Sequence, residues 1–167
     1  MMSSSHSQHV TSIRWRGFTL IELLVVISIL GLLTALLLPN MVGMRQRARD
    51  SQRKHDLVEL KSALRLYYND YQTYPLANAG QIMGCGVDGD SACGWGSRFE
   101  AGATVFMDQL PEDVIYAQTG SGDGFLLSVI LDNTSDEEAD TATVVGASGA
   151  RCGVTTPAIG AYYVCAN

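Results

Sequence analysis

The chain carries 17 acidic and 11 basic residues in 167, a net charge of −6, with three histidines and four cysteines. That length allows one small domain beside an anchor, and His55 is the sole histidine beyond residue 9, which leaves little for a histidine-based catalytic or metal centre. Nine of the bases lie at or before Arg65, so residues 66–167 hold two bases against thirteen acids and carry −11, which argues against an obligatory nucleic-acid partner.

Residues 1–17, rich in Met, Ser and His and without apolar periodicity, read as a disordered leader. From Phe18 to Leu38 the sequence holds one charge, Glu22, before Pro39 interrupts the pattern. At about 1.5 Å per residue a helix of that length spans the roughly 30 Å hydrocarbon core of a bilayer. No polar face is left for solvent, and the chain is too short to bury such a helix on every side. A secretory signal places its small-residue cleavage site after the apolar segment. Here Arg14, Arg16 and Gly17 precede it, so a cut after Gly17 leaves the whole apolar helix on the mature protein.

Arg16-Gly17-Phe18-Thr19-Leu20-Ile21-Glu22-Leu23-Leu24-Val25-Val26 resembles the leader junction of type IV prepilins and of the pseudopilins of type II secretion. The resemblance implies that Gly17 is the last leader residue, recognised by a prepilin peptidase and methyltransferase. It implies that Phe18 becomes an N-methylated terminus and that Glu22 guides assembly. Physics supports the last role independently. A carboxylate inside an apolar span costs about 2.5–3.5 kcal/mol and wants a partner. The cationic amine of Phe18, its own or a neighbouring subunit's, lies about one turn away. Gly31 and Pro39 weaken the same helix, since Gly costs about 1 kcal/mol and interior Pro about 3. In the family the corresponding stretch can lose helicity in a filament; a plain kink at the membrane exit is the other reading. The positive-inside rule taken alone would put the Arg45–Lys54 flank in the cytoplasm, whereas the resemblance puts the leader there.

Beyond Pro39 the helix is expected to continue to about Tyr71. Leu57, Leu60, Leu64, Tyr67 and Tyr71 recur at spacings of 3, 4, 3 and 4, one stripe for packing. Tyr74-Pro75 ends it and resembles the helix exit of pilins. Residues 77–96 read as a Gly-rich connector, and 99–107 as a short helix or strand. Strands are expected over 114–118 and 125–131, joined by Thr119-Gly120-Ser121-Gly122-Asp123-Gly124, and over 142–147 and 161–166. The sum is α+β and pilin-like: a leader (1–17), a transmembrane and assembly helix (18–38), its continuation (39–74), and a globular domain (75–167) with a small antiparallel sheet.

Four cysteines outside the membrane are read as disulfides, and none makes a Cys-x-x-Cys metal pair. Three connectivities are open; neighbour pairing, Cys85–Cys93 and Cys152–Cys165, is the expectation. The distal pair also resembles the disulfide-closed loop near the end of many type IV pilins. Asp132, Asp136, Glu137, Glu138 and Asp140 form a candidate calcium cluster, although they match no complete EF-hand pattern. No other cofactor is expected.

The resemblance implies a non-enzymatic filament subunit of the type IV pilin branch. It would sit in the inner membrane with its C-terminal domain extracytoplasmic, then pass into a pilus. Its partners would be its own copies, other pilin-like subunits, the prepilin peptidase, the inner-membrane assembly machinery and, beforehand, the bilayer. The runner-up is a pseudopilin of type II secretion, in a periplasmic pseudopilus. A non-polymerising membrane-anchored binding domain is the third reading, and it predicts tolerance of Glu22→Ala.

Overall fold

A computed structural model describes residues 17–141, 144–156 and 158–166, without the side chains of 37–42. Helix α1 runs unbroken from Leu20 to Tyr71, 52 residues, through Gly31 and Pro39. The chain divides into two compact units after Met41.

In the first unit every described side chain from Phe18 to Leu36 is exposed. Ser28 and Thr34 donate their hydroxyls to the carbonyls of Leu24 and Leu30, both at 2.7 Å. The hydroxyls are thereby satisfied within the helix, as an apolar surrounding requires. No helix among the described residues is long and apolar enough to cross a membrane. The described part of the apolar run that opens α1 ends at Leu36, and Leu20 to Leu36 reaches roughly 25 Å. Leu37 and Leu38, which the expected span of 18–38 includes, have side chains outside the description.

In the second unit the rest of α1 lies against three small antiparallel sheets. Leu57, Leu60, Ala63, Leu64 and Tyr67 are buried in the core, as their spacing foretells. Tyr71 departs from that stripe: it is 45% exposed and stacks on Tyr67 with ring centroids 4.3 Å apart. Gln72, at φ 56°, ends the helix and donates its N–H to the Tyr68 carbonyl.

The first sheet comprises β1 (Leu76–Asn78), β2 (Gln81–Cys85) and β3 (Ser91–Ala92). Nearly half of the expected connector therefore lies in strands. Ala79 and Gly80, both at positive φ, form the two-residue turn that joins β1 to β2. Disulfide Cys85–Cys93 fastens β2 to the residue after β3. The ambiguous 99–107 segment is a hairpin of β4 (Phe99–Ala101) and β5 (Thr104–Met107).

The third sheet has the order β6-β7-β8, with β6 Ile115–Thr119, β7 Gly124–Ile130 and β8 Ala161–Cys165. Phe125, Leu127 and Val129 alternate inward on β7 and join Tyr116, Leu57 and Leu60 in the core. The Tyr116 hydroxyl donates to the Pro75 carbonyl at 2.6 Å, which ties this sheet to the helix exit.

One expected strand is absent from the described part of its segment. Residues 144–146 are irregular, a short helix α2 spans Ala147–Arg151, and residues 142 and 143 lie outside the description. Gly146, Ser148, Gly149 and Ala150 offer no alternation of bulky side chains to hold a sheet. Cys152, at the end of α2, is bonded to Cys165 at the end of β8.

Candidate processing and assembly site

Gly17, Phe18 and Thr19 precede the helix, exposed and outside secondary structure. A Cβ on Gly17 would meet nothing within 4 Å among the described residues, so packing does not require glycine there. Phe18 is 82% exposed. The Gly17–Phe18 peptide thus lies outside secondary structure, where a protease can take it in extended form.

Thr19 and Glu22 form a reciprocal cap on α1. The Glu22 N–H donates to Thr19 Oγ1 at 3.3 Å, and the Thr19 N–H donates to Glu22 Oε2 at 3.1 Å. The Thr19 hydroxyl donates to the same Oε2 at 3.0 Å, and the Thr19 carbonyl accepts the first helical bond, from Leu23. This is the Thr-x-x-Glu capping box, which sequence reasoning missed although the motif is legible. It holds the carboxylate against the first turn of α1, and among the described residues no hydrogen bond is made to Oε1.

Three of the five acids at 132–140, Asp132, Asp136 and Glu138, are held by basic partners. Asp132 accepts from Arg49 Nε and from Arg53 Nη1, each at 2.8 Å, and these guanidiniums hold its carboxyl below the usual range. Lys54 Nζ lies 2.8 Å from Asp136 and 2.9 Å from Glu138. Burial alone would raise the Asp136 carboxyl, but the Lys54 ammonium and the Glu138 N–H bring it down. Glu138 is lowered chiefly by Lys54, with Arg151 assisting at 3.1 Å. Asp140 is buried and accepts the N–H groups of Gly146 at 2.8 Å and Ala158 at 2.9 Å. Glu137 is exposed and contributes its carbonyl to the Ala147 N–H.

The arrangement does not fit the expected calcium cluster. The Lys54 ammonium stands between two of the carboxylates, and Asp132 is held by two arginines. Among the described residues, three potential ligand atoms come within 4.8 Å of one another at His55, Asp56 and Glu59 instead, on one exposed helical turn. Sequence reasoning also missed Asp50, an acid 2% exposed whose oxygens accept the N–H groups of Asp132 and Asn133, each at 2.8 Å. The run of bases at 45–54 set against a distal cluster of acids signals the ion pairs but not Asp50, whose partners are backbone N–H groups.

The Prokaryotic N-terminal methylation motif matches residues 16–38, the stretch that contains the exposed junction and the capped glutamate. The chain carries that motif. Among its relatives is the Type II secretion system core protein G of Pectobacterium carotovorum, 45% identical over 67 residues, which are 40% of this chain and 43% of that one. The protein of the same name from Escherichia coli K12 is 43% identical over 65 residues, 39% of this chain and 45% of that one. The Type IV major pilin protein PilA of Myxococcus xanthus is 38% identical over 61 residues, 36% of this chain and 28% of the relative. The chain spans less than half the length of these relatives. No solved structure matches it.

The chain thus shares its N-terminal part with pilin and pseudopilin relatives. The long helix, small antiparallel sheets and two disulfides make the α+β, pilin-like architecture that the motif implies.

Proposed function

We propose that this chain is a structural subunit of an extracytoplasmic filament of the type IV pilin kind. It is made as an inner-membrane precursor, cut after Gly17, methylated on Phe18 and drawn from the bilayer into a filament of its own copies and other pilin-like subunits. Residues 1–17 are then the leader, 18–38 the span, 39–74 its continuation and 75–167 the outer domain. The observation that carries this reading is the wholly exposed apolar surface of the helix from Leu20 to Leu36. A surface of that extent must be covered, first by lipid and then by the same surface of other copies.

The capped Glu22 supports an assembly role. Its free Oε1 suits the new amine of a neighbour's Phe18, and that pairing removes two charges from apolar surroundings. Gly31 and Pro39 are the positions at which this helix would yield most readily. The pilin branch is favoured by the Cys152–Cys165 loop. The pseudopilin reading draws on the secretion relatives. The pairing of Lys54 with Asp136 and Glu138 weighs against a calcium-dependent distal loop, and so leaves the pilin branch in front.

The test is the mass of the N-terminal peptide recovered from native cells. It should begin at methylated Phe18, and Glu22→Ala should insert normally yet form no filament. A retained leader, or normal filaments from that variant, would remove the reading. Surface fibres in the wild type select the pilus. Secretion lost on deletion, without surface fibres, selects the pseudopilus.

A further inference from the structure

The second unit presents a cleft of about 560 Å³ between α1 and the segment after β5, and no lysine or arginine lines it. Its walls carry four carboxylates, Asp56 and Glu59 from the helix and Asp108 and Glu112 from the other side, with Met107 and Leu110 between them. These acids are poorly compensated. Asp56 accepts from a neutral amide, Gln52 Nε2, at 2.7 Å. Glu59 has the His55 imidazole at 3.8 Å. Asp108 has Arg98 at 3.5 Å while its side chain is 89% exposed. Glu112 makes no ion pair among the described residues.

The matching cations lie lower on the same helix. Arg49, Arg53, Lys54 and Arg151 are all bound to the 132–140 acids or Asp50, and Arg65 donates to the Ala166 carbonyl at 2.9 Å. Arg45 and Arg47 are exposed, and neither has a carboxylate within ion-pair distance among the described residues. They cannot reach their own cleft, because nine residues, roughly 13 Å of helix, separate Arg47 from Asp56.

We propose that the cleft receives the Arg45–Arg47 segment of a second copy of this chain. A cleft this size is too large for one bare cation but takes a guanidinium and its stem. The fork can pair with carboxylates from both walls, while the methylenes lie on Met107. With parallel helices the two copies are staggered by 9 to 14 residues, roughly 14–21 Å. Phe18 and Glu22 are only 4 residues apart, so the two pairings belong to different neighbours in a helical array. The contact is heterologous: cleft on one copy, arginines on the next. That is the geometry that propagates without closing. Arg45 and Arg47 point about 160° apart around the helix, so only one of the two enters the cleft of a given neighbour.

This inference rests on the filament reading, and the experiment separates the two. Full-length variants are produced in native cells and sheared or extracted filaments are quantified. R45E/R47E should lose filaments, D56R/E59R should lose them too, and the four changes in one chain should restore them. Membrane insertion and both disulfides, checked on non-reducing gels, should be unchanged, because all four side chains lie outside the core. Overturning results are wild-type filament yield from both reversals, or loss in R45E/R47E that the fourfold swap does not relieve, as contact with acidic lipid headgroups would give. Filaments that dissolve in a divalent-cation chelator, survive R45E/R47E and are lost in D56R/E59R would assign the cleft to a metal and overturn it as well. If the reversals assemble while E22A does not, the cleft contact fails and the filament reading stands. If the wild type forms no filament, both fail.

Discussion

A carboxylate removed from water is tolerated only when its oxygens are taken, and Asp50 meets that condition through backbone. Its two oxygens accept the adjacent N–H groups of Asp132 and Asn133, where the chain leaves β7. Asp50→Ala strands both donors and leaves Arg53, 3.4 Å away, without one of its acids. The expected loss is about 2–4 kcal/mol of unfolding free energy, read by denaturant titration of the full chain in detergent. An unchanged midpoint would mean that water reaches those donors and that Asp50 holds nothing. Asp50 was not legible in the sequence because its role depends on backbone 82 residues away. The Thr19–Glu22 cap was legible, since capping boxes act over three residues. The apolar context drew attention instead to the cost of the charge.

At the scale of elements, local signals were readable and paired ones were not. The 3-4-3-4 stripe identified the buried face of α1 because helix periodicity is a property of one segment. The apolar run from 125 to 131 beside the Gly-rich 119–124 loop marked β7 as a strand. By contrast, the residues of β1, β2 and β3 have no such run, and they are ordered by the Ala79–Gly80 turn and by Cys85–Cys93. The approach of residues 138–140 to 146–149 is likewise set by backbone proximity rather than by apolar pattern. Gly146 illustrates it: a Cβ there would fall against the Ala139 carbonyl and lie 2.7 Å from the Glu138 carbonyl oxygen. Its own φ of −67° suits alanine, so any penalty is steric. Gly146→Ala should cost about 1–3 kcal/mol and loosen α2, visible as faster amide exchange over 147–151. Gly153→Ala meets nothing within 4 Å but sits at φ +71°, so its cost of about 1 kcal/mol should come from backbone alone and leave α2 exchange untouched. Equal exchange in the two variants would refute the steric account.

At the scale of the whole molecule, the charge segregation seen in the sequence becomes a set of ion pairs that fasten a distal loop to the proximal helix. The consequence is a pH profile with a definite sign. The folded carboxyls of Asp132, Asp136 and Glu138 sit below their ordinary values. Their contribution is therefore present above about pH 4 and is lost as pH falls through the lowered folded values. Lys54 is shifted upward: burial opposes the shift, but its bonds to Asp136 and Glu138 prevail. Its contribution is complete below about pH 10 and disappears as pH rises through its folded value. The buried phenols of Tyr67, Tyr116, Tyr162 and Tyr163 are also raised, chiefly by burial, and they fail on the same alkaline side. Stability should hence plateau between about pH 5 and 9 and fall on both sides. The acid limb is the diagnostic one, since the tyrosines do not titrate there. Lys54→Met should lower the plateau by about 1–2 kcal/mol, because the lysine is only 21% exposed and its removal leaves Asp136 and Glu138 facing each other. It should also make the acid limb shallower, since those carboxyls return toward ordinary values. An acid limb of unchanged slope in that variant, measured by thermal unfolding from pH 2.5 to 6, would show that the loop is fastened by other contacts.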